Sequence, residues 1–362
     1  MNNIGLYLHI PFCSGKCPYC DFYSIGGNDE DFDKYTAVLA DKISSYSGKY
    51  TADTVYIGGG TPSLLGTDRL CKILSAVNKS FGTAAEITVE VNPRSAMKLD
   101  FRALSDIGLH RVSMGLQSAN DMELQILGRH HTASDVAAAV DKLHREGIEN
   151  ISLDLMIGIS GQTKQSLVSS IEFCKNVGAE HISAYMLKIE DGTPYARMRG
   201  ELLLPDEDEV CELYETAVSE LALRGYAQYE ISNFAKQSRE SRHNLKYWHC
   251  EEYLGLGAAA HSFIDGRRFY YGRSFDDFYQ GITCDDGEGG GKEEYIALAL
   301  RLCEGVRFID YEQRFSEPFP QTYIDKAARF LSAGLVNISN NELSLTVKGF
   351  LLSNTIIANI LY

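Results

Sequence analysis

A chain of 362 residues is longer than one hydrophobic core usually supports, so a large domain with a smaller appendage is expected. Hydrophobic content of 44% and charged content of 23% are ordinary for a globular protein, and no run of about 18 apolar residues is present to span a bilayer. With 49 acidic against 34 basic residues the formal charge is −15, and no Lys/Arg block offsets it, which argues against nucleic acid as a partner.

The opening residues Met1-Asn2-Asn3-Ile4-Gly5 carry no basic region, apolar region or cleavage site. Nine cysteines without a secretion signal point to a reducing compartment where thiols stay free for metal, so a cytoplasmic location is expected. Along the chain, short β-rich runs recur at residues 5–10, 53–57, 86–91, 111–114, 151–157 and 181–186. Amphipathic stretches such as 31–45 and 68–81 lie between them, with apolar residues at helical spacing. Strands alternating with helices mean βαβ units and a parallel sheet. About six units fall short of a closed eightfold barrel, so an open, partial (β/α)6 barrel is expected.

The rhythm stops after about residue 230. An aromatic and polar stretch, 232–279, leads into Asp285-Asp286-Gly287-Glu288-Gly289-Gly290-Gly291, a turn-rich hinge or loop. Helices are expected around 293–303 and 321–332, then a hairpin across Asn340-Asn341 and a last helix from Lys348. Helices closed by a hairpin resemble a winged-helix unit. Three parts follow: a barrel at 1–230, a connector at 231–290 and a winged-helix-like domain at 291–362.

Cys13-Ser14-Gly15-Lys16-Cys17-Pro18-Tyr19-Cys20 spaces three thiols at intervals of four and three residues in a tight Gly/Pro loop. Such a loop lets three thiolates converge on one face of a cubane iron–sulfur cluster, leaving one of its four irons open to a reactant. The competing reading is part of a zinc site in an interaction protein, which needs a fourth ligand; His9 is the local candidate.

Tyr7-Leu8-His9-Ile10-Pro11-Phe12-Cys13 followed by this loop resembles the opening of the radical S-adenosylmethionine (SAM) enzymes related to oxygen-independent coproporphyrinogen oxidase. The resemblance implies a 4Fe–4S cluster on Cys13, Cys17 and Cys20, an electron donor to it, and an open iron that chelates SAM for reductive cleavage to a deoxyadenosyl radical. It also implies SAM contacts for Tyr7, Gly59, Gly60, Thr61, Glu90, Gln117, Arg129 and Asp154. Most of these fall at the carboxyl ends of expected strands, where parallel barrels carry their chemistry. Missing side chains in Gly58-Gly59-Gly60 would expose backbone groups to a ligand, Glu90 could meet an ammonium or ribose hydroxyls, and Arg129 a carboxylate.

Two features select a branch. The oxidase carries another cysteine two places after the third cluster ligand, where this chain has Phe22. Arg242-His243-Asn244-Leu245-Lys246-Tyr247-Trp248 carries an HNxxYW pattern, and Trp248 is the only tryptophan. The pattern resembles that of the HemW family of heme chaperones, as do Tyr253-Leu254-Gly255-Leu256-Gly257 and Ala260-His261-Ser262. That branch implies heme as cargo, held by His243, Asn244, Tyr247 and Trp248, and delivery to acceptors such as respiratory enzymes. A histidine can ligate heme iron, and Tyr and Trp offer flat faces to a porphyrin. His261, His249 and Cys250 stay open as alternative axial ligands. The segment is expected to present a porphyrin without entering the SAM cavity. The remaining cysteines read as small buried hydrophobes. The rival is the oxidase itself, a porphyrin-biosynthesis enzyme that decarboxylates coproporphyrinogen III; Phe22 and HNxxYW favour the chaperone.

Overall fold

The computed structural model describes residues 2–362; Met1, the first residue of the expected barrel, lies outside them. Six strands run parallel and in chain order: β1 (Asn2–Ile10), β2 (Tyr50–Gly59), β3 (Glu86–Val91), β4 (Arg111–Gln117), β5 (Asn150–Ile157) and β6 (His181–Met186). Their side chains divide with a period of two. Leu6, Leu8, Val55, Ile57, Ile87, Val89, Val112, Met114, Leu153 and Leu155 are buried in the main apolar core. The intervening residues, including Tyr7, Tyr56, Glu90, Ser113, Asp154 and Ser183, line a cavity instead. Register aligns them: Tyr7 pairs with Tyr56, Glu90 with Ser113, Gly115 with Asp154, and Asp154 with Ser183. The helices between are capped as their sequences dictate: Asn28 with Asp31 starts Asp29–Ser45, and Asp206 with Glu209 starts Glu207–Leu223, both as capping boxes.

The sheet does not stop at six strands. It has twelve, in the order β12-β11-β10-β9-β1-β2-β3-β4-β5-β6-β8-β7. The added strands are β7 (Ala227–Gln228), β8 (Asn233–Ala235), β9 (Tyr253–Leu256), β10 (His261–Ile264), β11 (Arg267–Tyr271) and β12 (Thr283–Glu288). β9 runs parallel to β1, and β10 to β12 continue as antiparallel neighbours. The stretch at 231–290, expected as a connector, therefore adds strands to the sheet, with helices Arg242–Trp248 and Phe275–Gln280 between them. Residues 285–288, expected as hinge or loop, form the end of an edge strand. There β11 supplies the backbone partners, and Arg267 reaches Asp285 at 2.8 Å. Only Gly289 to Gly291 stays a turn between this strand and the next helix.

Helix Arg242–Trp248 packs against the amino ends of β1 to β3. Ser241 caps it, and Glu86, the first residue of β3, accepts hydrogen bonds from the backbone N–H groups of Arg242 (3.3 Å) and His243 (3.2 Å). The chain ends in helices Lys292–Ala299, Phe308–Phe315, Gln321–Ala327, Val347–Leu351 and Ser353–Leu361 around a small sheet of β13 (Val306–Arg307), β14 (Val336–Ile338) and β15 (Glu342–Leu345). The expected hairpin across Asn340-Asn341 joins β14 to β15. Among the described residues no helix is long and apolar enough to cross a membrane.

Candidate functional site

A cavity of about 1410 Å³ opens at the carboxyl ends of the parallel strands. A volume of that size exceeds the roughly 300–1,000 Å³ of a usual small-molecule pocket. The three-cysteine loop forms part of its wall. Cys13 donates its backbone N–H to the Ile25 carbonyl (2.9 Å), and Ile25 returns one to Pro11 (2.8 Å), so both ends of the loop are tied together. Cys13, Cys17 and Cys20 are unpaired, half-buried and line the cavity. Thr61 Oγ1 lies 3.4 Å from Cys13 Sγ, and Arg129 Nη1 lies 3.7 Å from Cys17 Sγ. Burial pushes the Cys20 thiol above its ordinary value, and the nearby Cys17 and Cys13 sulfurs add to the shift. Among the described residues no three Cys, His, Asp or Glu side chains converge as they would around a single metal ion. A cubane makes no such demand, because each thiolate takes a different iron. Three thiols on one loop beside a buried guanidinium suit an anionic thiolate-held cluster.

The glycine loop after β2 behaves differently from expectation. Its backbone N–H groups are not exposed to a ligand: Gly59 donates to Glu90 Oε2 (3.0 Å), Gly60 to the Ile10 carbonyl (2.8 Å) and Thr61 to the Phe12 carbonyl (2.7 Å). The glycines are there for approach. Gly59 sits at φ 111°, and a Cβ on Gly60 would lie 2.6 Å from the Phe12 carbonyl oxygen. What this loop can still offer a ligand is carbonyl oxygen, an acceptor for an ammonium rather than a donor for a carboxylate.

Glu90 is half-buried in the cavity wall, with Tyr56 donating to Oε1 at 2.8 Å. Burial pushes its carboxyl up to about 7, the Tyr56 and Gly59 hydrogen bonds pulling the other way. Burial also lifts Asp154 to about 6 against the hydrogen bonds of Ser183 and Ser113 and the charges of Arg111 and Arg129. Gln117 lies at a register shift in β4 and adopts φ 70°, a left-handed conformation that costs a side chain roughly 1 kcal/mol or more. Arg129 brings its guanidinium to the same wall, and its buried Nε has no hydrogen-bond partner among the described residues. All of Tyr7, Gly59, Gly60, Thr61, Glu90, Gln117, Arg129 and Asp154 line this one cavity with the cysteines. Sequence reasoning missed Tyr56, Arg111 and Ser183, which line it too. A charged Arg111 at the head of an apolar strand was the available signal.

The HNxxYW helix divides. Asn244 and Tyr247 line the same cavity as Glu90, so the motif enters the space expected to exclude it, while His243 and Trp248 do not line it. The His243 ring is fully buried, with Nδ1 2.9 Å from Thr54 Oγ1 and Nε2 2.8 Å from the Tyr247 hydroxyl, and it stacks on Tyr56. Burial, helped by Lys246, drives its pKa down to about 3. Trp248 is half-buried. Of the cysteines expected as buried hydrophobes, Cys174 is buried, Cys71, Cys211 and Cys303 are half-buried, and Cys284 is exposed on the edge strand.

Residues 7–174 match the Radical SAM superfamily, and residues 293–352 match the HemN C-terminal domain. Among solved structures, the coproporphyrinogen III oxidase HemN from Escherichia coli superposes with a TM-score of 0.84 over 99% of this chain and 90% of its own, at 21% identity, a likeness of fold. The architecture is thus that of a radical SAM protein. The heme chaperone HemW of Lactococcus lactis is 33% identical over 97% of this chain and 95% of its own length. That of Bacillus subtilis is 35% identical over 97% of each. A mitochondrial relative from Bos taurus, "Radical S-adenosyl methionine domain-containing protein 1", is 36% identical over 71% of this chain and 60% of its own. This chain belongs to the HemW heme chaperone family.

Proposed function

We propose that this chain holds one 4Fe–4S cluster on Cys13, Cys17 and Cys20, binds SAM in the barrel cavity, and accepts heme for delivery to acceptor proteins such as respiratory enzymes. The observation that carries the reading is the shared cavity, in which three free thiols meet Glu90, Gln117, Arg129 and Asp154. Bound there, the cluster would supply an open iron for the amino and carboxylate groups of SAM and an electron for its sulfonium. The protein's own residues do the positioning. Carbonyls of the Gly59–Gly60 turn accept from the ammonium, and Glu90, fixed by Tyr56 and Gly59, accepts from ammonium or ribose hydroxyls. The Arg129 guanidinium beside Cys17 balances the negative charge of the thiolates.

Heme as cargo is supported by the near full-length likeness to proteins named as heme chaperones. Nine free cysteines support a reducing, cytoplasmic setting. In the proposed division, residues 1–230 form the barrel, 231–290 extend it, and 291–362 form a winged-helix-like appendage. The test is anaerobic reconstitution followed by two assays on one sample, heme binding and coproporphyrinogen turnover. Heme bound at one equivalent without protoporphyrinogen supports the chaperone; robust protoporphyrinogen formation with deoxyadenosine release overturns it.

A further inference from the structure

A histidine ligates heme iron only through a ring nitrogen whose lone pair is free and reachable. His243 has neither property, since both nitrogens are engaged and the ring is sealed between Thr54, Tyr56 and Tyr247. His9 is equally engaged, by Tyr7 (3.0 Å) and the Tyr23 carbonyl (3.1 Å). His131 is buried, with Nε2 on the Leu116 carbonyl. His249 is held by Glu304 at 3.0 Å, and neither it nor Cys250 nor Cys284 lines the cavity.

His261 differs from all of these. It opens β10, is exposed, lines the cavity mouth, and has no hydrogen-bond partner on either ring nitrogen among the described residues. Its ring is fixed by stacking on its cross-strand partner Tyr270, 4.8 Å between centroids and 19° between planes. Tyr253 lines the same cavity and adds to the flat, partly apolar surface that a porphyrin face requires. The next turn brings Arg273 to the mouth, 4.0 Å from Asp21 of the cysteine loop, and Lys16 of that loop lines it as well. Lys16 and Arg273, the latter already facing Asp21, are two of the cavity's cations and can meet the two carboxylates of a heme.

We propose that His261 is the heme-iron ligand, with Tyr270 behind it and Arg273 and Lys16 facing the propionates, and that His243 is a positioning residue of the barrel floor. The assignment rests on the reading of heme as cargo. It places the porphyrin against the β10–β11 hairpin, beside the cysteine loop rather than on the HNxxYW helix. His130, also exposed on the cavity and without a hydrogen-bond partner among the described residues, is the internal control.

The test is hemin titration of the cluster-reconstituted full chain and its His261→Gly, His130→Ala and His243→Gln variants, followed by the Soret band and the heme EPR spectrum. His261→Gly should raise the dissociation constant at least tenfold and lose the histidine-ligated spectrum while cluster iron and circular dichroism stay unchanged. Added imidazole should restore the spectrum. His130→Ala should bind as wild type. His243→Gln should melt at a lower temperature yet keep the wild-type heme spectrum. A His261→Gly protein with unchanged spectrum and affinity overturns the assignment alone, as does loss of the spectrum in His130→Ala or in folded His243→Gln. A wild type that binds no hemin overturns the cargo reading along with it.

Discussion

Glu90 gives the site a pH dependence that can be calculated. Its carboxyl is held at about 7 by burial, against an ordinary 4.5. The folded value is raised, so the group stays protonated below about 7 and becomes a full acceptor only above it. A ligand that needs the carboxylate finds about a tenth of the protein ready at pH 6 and about nine-tenths at pH 8, which amounts to roughly tenfold in affinity across that window. Glu90→Gln removes the titration. It also leaves one of the two donors that now meet the side chain, Tyr56 hydroxyl at Oε1 and Gly59 N–H at Oε2, facing an amide NH2 instead of an acceptor. The assay is anaerobic calorimetric titration of SAM into reconstituted wild type and Glu90→Gln at pH 6, 7 and 8. Taking the ratio of the two affinities cancels the titration of SAM itself. That ratio should grow about tenfold in favour of wild type between pH 6 and 8. Asp154, at about 6, contributes only a lower bend common to both proteins. A constant ratio would remove Glu90 from the binding site or its carboxylate from the interaction.

Replacing Cys13, Cys17 or Cys20 singly by Ser should abolish bound iron and sulfide and the broad visible absorbance; full iron content in any one variant refutes that ligand. Gly60→Ala should destabilise the fold by about 1–3 kcal/mol, because its Cβ meets the backbone carbonyls of Phe12 (2.6 Å) and Ile10 (2.9 Å), which yield only if the ends of β1 and β2 separate. Chemical denaturation against wild type measures this, and a difference below about 0.5 kcal/mol would show that the strand ends are not in close contact.

Much of the fold is local information and was readable in the chain. The six parallel strands declare themselves as β-rich runs between amphipathic helices, and the three thiols lie on one short loop, so neither needs a distant partner to be seen. Glu90 could be placed at the end of its strand and Asp154 on the next-but-one strand for the same reason: the βαβ repeat fixes which end is which. Residues 253–288 were not readable as sheet, since their strands are short and set by pairing with β1 and with one another rather than by their own pattern. The backbone hydrogen bonds of the glycine loop were hidden too, because their acceptors, Ile10, Phe12 and Glu90, lie far away in sequence. The histidines carry the same lesson most plainly. His243 and His261 look alike on paper, each inside a short motif. Packing alone decides that one ring is enclosed by Thr54, Tyr56 and Tyr247 and the other stands open on a cavity, because burial and hydrogen-bond saturation are properties of the neighbours a folded chain brings, not of the residue.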